Sequence, residues 1–214
     1  MNKAQTERLA KSLTIKLSTP AKMPGFTMAL PASACITGQR LRKVDGSVCS
    51  KCYARKGHYC FGSTKALRQH NLSAMRQSGQ WVSDLVRFLQ ESNQTEFRFH
   101  DSGDLQSLGH LHQIVAVAKS VPNCSFWLPT KEYAIINQYL RGNPQGFPSN
   151  LCVRVSMPMI GQASKPYNGL PTSSVNSDSS AFHCPVKNGT EGCDTYKCRA
   201  CWDNSVPNVN YHKH

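Results

Sequence analysis

The chain has 214 residues, 39% hydrophobic and only 17% charged, with ten cysteines and a formal net charge of +13. That length buries a core without disulfide help, and the composition excludes a disordered tail. No run approaches 18 apolar residues, so a membrane span is not expected.

The opening stretch, MNKAQTERLAKSLTIKL, is polar and has no apolar core of a signal peptide. A cysteine-rich chain without a leader points to the cytoplasm, where thiols stay reduced and clustered cysteines bind metal or do chemistry; secretion is the weaker alternative. Residues 12–30 read as short strands broken by Pro and Gly, and a cysteine segment runs from Cys35 to Cys60. Ser63–Gly79 and Trp81–Ser92 have helical apolar spacing.

The middle then alternates. Strand Glu96–His100, helix Leu105–Ser120, strand Cys124–Pro129, helix Lys131–Leu140 and strand Leu151–Met157 follow one another. This order predicts right-handed βαβ units, hence an α/β fold with a parallel sheet, as a partial (β/α) barrel or an open sheet. The two earlier helices supply material for a further unit. Residues 1–157 are then the core, 158–180 a Pro/Gly/Ser/Asn-rich loop or linker, and 181–214 a cysteine-rich metal-binding extension packed on the core. That extension is too short to fold alone on apolar burial, and a metal centre would be its natural core.

Charge is uneven. Residues 1–60 hold 11 Lys/Arg against two acids, whereas 61–150 and 151–214 are each only +2. The bias suits nucleic acid or another anionic partner. A solvated basic face, or charge that offsets an anionic cluster, accounts for it equally.

The cysteines form two sets. Cys35, Cys49 and Cys52 (C-S-K-C) are followed by Cys60; Cys184, Cys193, Cys198 and Cys201 are spaced C-x8-C-x4-C-x2-C. Two thiolates separated by two residues converge because a tight turn aims both sulfurs inward. Four thiolates satisfy Zn²⁺ or an iron–sulfur cluster, and spacing does not separate the two. Cys60 reads as a fourth ligand or as a thiol at a helix start. Cys124 and Cys152, in apolar strands, read as small buried hydrophobes.

Asp101, Ser102 and Gly103 follow the first strand of the series, where α/β folds place ligand sites. Gly103 allows close backbone approach, Asp101 and Ser102 offer ligand contacts, and Asp104 reads as the cap of a helix starting at Leu105. Lys131 ends the next strand and reaches the same rim. Arg154, inward in the third, needs an aspartate, an anionic cofactor or a structural ion pair. Tyr53, His58 and Tyr59 stand where they would shield a cluster; His212 and His214 are further ligand types near the end of the chain. No G-x-S-x-G, P-loop or H-E-x-x-H occurs, which removes the common hydrolase, nucleotidase and zincin readings.

Several of these stretches together resemble the phage gene product 88 family: K-M-P-G-F-T-M-A-L-P-A-S-A-C, C-S-K-C-Y-A-R-K-G-H-Y, R-F-H-D-S-G-D-L-Q-S, V-R-V-S-M and the tail H-C-P…C-R-A-C-W…Y-H-K-H. More distantly, the three-cysteine C…C-x2-C-Y-A pattern resembles radical S-adenosylmethionine enzymes. That resemblance implies a [4Fe-4S] cluster on Cys35, Cys49 and Cys52 at the mouth of a partial barrel, with an open iron for S-adenosylmethionine; Asp101, Ser102, Gly103, Lys131 and Arg154 are the candidate cofactor contacts by their positions on the strands. Thirteen residues separate Cys35 from Cys49, where the compact motif of those enzymes has three. Ligation by Cys60 would close the fourth position. The phage resemblance implies the host cell cytoplasm, and a second iron–sulfur or zinc centre falls to the tail. The alternative is a non-enzymatic nucleic-acid-binding protein with purely structural metal.

Overall fold

A computed structural model describes residues 1–177, 182–187 and 191–212. It begins with helix α1 (Lys3–Ser12), closed by an Asn2/Gln5 capping box. No residue of α1 is buried, which is why its polar sequence carries no core signal. Strands β1 (Leu17–Ser18) and β2 (Phe26–Met28) follow, then helix α2 (Ile36–Leu41). Three 3-10 turns, at Val48–Lys51, Tyr53–Arg55 and Gly57–Cys60, lead into α3 (Gly62–Gln77) and α4 (Gln80–Glu91).

The βαβ series lies within a few residues of the expected bounds: β3 (Glu96–Phe99), α5 (Leu108–Ser120), β4 (Ser125–Thr130), α6 (Tyr133–Gly142) and β5 (Leu151–Ser156). Helix α5 starts three residues later than expected. Its cap is Ser107, which accepts from the His110 backbone N–H at 3.0 Å, and Asp104 is thereby free for another task.

Strands β6 (Thr172–Val175), β7 (Phe182–His183) and β8 (Asn208–Tyr211) complete the sheet. Its order is β1-β2-β3-β4-β5-β6-β8-β7, parallel throughout except between β1 and β2. The sheet is open, with β1 and β7 at its edges. From β2 to β6 spatial order follows chain order, without the reversal that creates a crevice in doubly wound sheets. Residues 158–180, expected as a loop or linker, contain β6 between β5 and β8. Its Thr and Ser side chains bond across to Asn208 and Asn210 instead of packing in oil, so the strand has no apolar alternation to read.

Period-2 alternation divides the sheet into two unlike faces. Phe97, Phe99, Phe126, Leu128, Leu151 and Val153 join the main core with α3 to α6. On the opposite face, Trp127 and Arg154 meet the C-terminal tail. There Trp127 packs with Ala200, Cys201, Trp202 and Val209, and the Trp202 indole N–H donates to the Phe97 carbonyl at 3.1 Å. No helix among the described residues is long and apolar enough to cross a membrane.

Candidate functional site

Residues 32–61 lie across the C-terminal ends of the parallel strands and are fastened there at several points. Val48 N–H donates to the Pro158 carbonyl at 2.8 Å, beyond β5, and Ile160 N–H donates to Gly46 at 2.9 Å. The Tyr53 hydroxyl donates to the Asp101 carbonyl, beyond β3. The Gln106 amide donates to the Ala34 carbonyl at 3.0 Å.

The firmest fastening is Glu132, just past β4 and 4% exposed. Its Oε1 accepts from the backbone N–H groups of Ile36 (3.1 Å) and Thr37 (2.9 Å), and its Oε2 accepts from the Thr37 hydroxyl at 2.7 Å. A carboxylate thus satisfies the orphan donors of α2 immediately after Cys35. Asp104 does the parallel job between β3 and β4. It accepts from Leu105 N–H (2.8 Å), the Thr130 hydroxyl (2.6 Å) and Lys131 N–H (2.9 Å). Burial, with the nearby Glu132 charge, pushes Asp104 up to about 6 in spite of these bonds.

Cys35, Cys49 and Cys52 are brought together on this rim. A methyl at Gly38 would stand 3.6 Å from the Cys35 sulfur, 3.8 Å from that of Cys49 and 2.8 Å from the Cys35 Cβ, so glycine leaves the space between them open. Burial raises the Cys35 thiol well above its ordinary value, followed in size by the charges of Asp104, Cys52 and Cys49. Burial also raises Cys49, while the Lys131 ammonium beside it opposes the shift. Cys60 stands apart. It is exposed, and its thiol donates to the Arg55 carbonyl at 3.1 Å.

The other expected contacts divide. Lys131 shares the neighbourhood of Cys49. Asp101 pairs with Arg68 at 3.6 Å through Oδ2, while its buried Oδ1 has no hydrogen-bonding partner among the described residues. Ser102 is occupied, its hydroxyl donating to the Leu30 carbonyl at 2.7 Å. Gly103, at φ +82°, is required by protein packing: a Cβ there would lie 2.4 Å from the Leu30 Cβ.

Arg154 has a different partner from those expected. Fully buried, it donates to the carbonyls of Thr172 (2.9 Å), Val206 (3.0 Å), Ala200 (2.9 Å) and Asp203 (2.9 Å). Backbone carbonyls take the place of an aspartate or anionic cofactor, because the returning tail ends its turns directly over β5.

The tail cysteines form the second group. Cys193 is pushed up to about 11 by burial and then by the charges of Cys184 and Cys198; Cys201 is pushed up to about 12 by burial, with Cys184 and Cys193 adding. The Cys201 sulfur and the Tyr211 hydroxyl are hydrogen-bonded at 3.1 Å, and the His212 ring nitrogen Nε2 lies 3.0 Å from the Cys184 carbonyl oxygen. His214 lies outside the described residues. Among the described residues no three His, Cys, Asp or Glu side chains are close enough together to hold a single metal ion. Cys124 and Cys152 are buried.

Glu132 and Gly38 belong to the rim site without having stood out in the sequence. The signal for Glu132 is its position directly after Thr130-Lys131 at a strand end. The family model described as Gene product 88 matches residues 1–204, a span that contains all ten cysteines. No curated protein and no solved structure matches the chain.

Proposed function

The chain belongs to the gene product 88 family, and we propose that it is a phage iron–sulfur protein. In this reading Cys35, Cys49 and Cys52 hold a [4Fe-4S] cluster at the C-terminal rim of the open parallel sheet, which stands in place of the expected partial (β/α) barrel, with one iron left to an exogenous ligand such as S-adenosylmethionine. The observation that carries the reading is the space kept open by Gly38 between the Cys35 and Cys49 sulfurs, at the C-terminal strand ends. The exposed Cys60, bonded to Arg55, is not a ligand in this reading, which leaves the fourth position open.

Bound there, an open-iron cluster supplies one-electron reduction of a sulfonium ligand. The chain supplies the rest. Lys131 offsets thiolate charge beside Cys49, Glu132 fixes the orientation of α2 and hence of Cys35, and the unpaired Oδ1 of Asp101 is an acceptor for a ligand's amino group or ribose. Cys184, Cys193, Cys198 and Cys201 form a second, structural centre of zinc or iron–sulfur that stiffens the tail. A reducing host cytoplasm suits both.

The test is anaerobic purification, iron and sulfide counting, and paramagnetic resonance of the reduced protein with and without S-adenosylmethionine. The expected result is an iron–sulfur signal that changes on adding the ligand and is lost in Cys35→Ser. Zinc without iron or sulfide sinks the proposal; a signal indifferent to S-adenosylmethionine keeps the cluster and removes the enzyme.

A further inference from the structure

The segment that carries the rim cysteines is also the most basic part of the chain. Residues 36–60 hold Arg40, Arg42, Lys43, Lys51, Arg55 and Lys56 against the single acid Asp45. All six cations are exposed, and none makes an ion pair with a carboxylate among the described residues. The same segment and the residue after it present bare apolar surface. Of six exposed large hydrophobic side chains among the described residues, four are Ile36, Val44, Tyr53 and Phe61. Phe61, 57% exposed, stands edge-on to His58 with ring centroids 4.9 Å apart.

A solvated basic face accounts for the cations alone. It does not account for exposed aromatic rings concentrated among them, since scattered surface hydrophobics are the ordinary case. We propose that this rim is a docking surface for single-stranded nucleic acid, which it presents to the Cys35 group. Unpaired bases have free faces to stack on Phe61 and Tyr53, while the cations follow the phosphates. Duplex fits less well: α2 has six residues, too short a helix to read a major groove. The proposal rests on the rim-cluster reading only for what the strand is delivered to, and the surface itself needs no metal.

The experiment is fluorescence anisotropy of labelled oligo-dT and oligo-U of equal length with the full chain, with iron counted on the same samples. Binding is expected to weaken about a hundredfold between roughly 50 and 200 mM salt, as for a strand contacted at about five phosphates. The dT and U arms assign the strand to DNA or RNA. Phe61→Ala should weaken binding about tenfold while leaving the salt slope unchanged. Lys43→Glu with Lys56→Glu should weaken binding and flatten the slope. Duplex bound as tightly as single strand, a poly-glutamate peptide competing as well as the oligonucleotide, or Phe61→Ala without effect would each overturn the proposal. Binding by iron-free protein keeps this surface while counting against the cluster. Iron-loaded protein that fails to bind does the reverse.

Discussion

At position 38 a single hydrogen decides whether two thiols can share a site. Gly38→Ala places a methyl 2.8 Å from the Cys35 Cβ, inside any normal contact, so Cys35 or α2 must shift. The expected outcome is loss of one cluster's worth of metal, about four iron per chain, from reconstituted protein that still folds. Unchanged iron would mean that the rim group is not the site. The cysteine spacing was legible because C-x2-C follows a chemical rule; Gly38 was not, because its role depends on a helix turn bringing it back over Cys35. A second residue-scale prediction concerns His110, which is 2% exposed and held by burial down to about 3. A histidine that must stay neutral when folded contributes full stability above its ordinary value near 6.5, and that contribution is lost as pH falls toward 3. Urea titrations should therefore show about 2 kcal/mol less stability from this group at pH 5 than at pH 7.5, and His110→Gln should remove that increment.

Among the elements, the central strands were readable and β6 and β8 were not, for one physical reason. Strands β3 to β5 put aromatic and branched residues against helices, whereas β6 and β8 satisfy Thr172, Ser174, Asn208 and Asn210 with one another. Polar pairs of that kind look like loop composition until both strands are placed side by side. What locks them to the rest is Arg154, whose guanidinium holds four carbonyls contributed by β6 and the tail. Arg154→Met keeps the volume and strands those buried acceptors. It should cost about 3–5 kcal/mol in chemical denaturation, the range for breaking a buried charged network. Limited proteolysis should then cut first between residues 184 and 207. A variant of normal stability would show that water replaces the guanidinium without loss.

The whole molecule places its two cysteine groups in mechanically different surroundings. The tail group is built into a packed layer, with Cys201 and Trp202 seated against Trp127 on one face of the sheet. The rim group is not: no residue from 35 to 61 belongs to either hydrophobic core, and the segment is held by hydrogen bonds such as those to Glu132, Asp101 and Pro158. Segments with few buried apolar contacts open at lower free energy than the strands beneath them. Hydrogen exchange of metal-free protein should accordingly show amides of 36–60 exchanging through local opening, while those of β3 to β5 wait for global unfolding. Because a ligand stabilises the state it binds, metal at the rim should slow exchange in 36–60 selectively. Metal in the tail should instead slow exchange in 192–212, and there the gain should be smaller because packing already holds that layer. Loading that protects the tail and leaves 36–60 unchanged would assign the metal to the structural centre and reduce the rim to a binding surface.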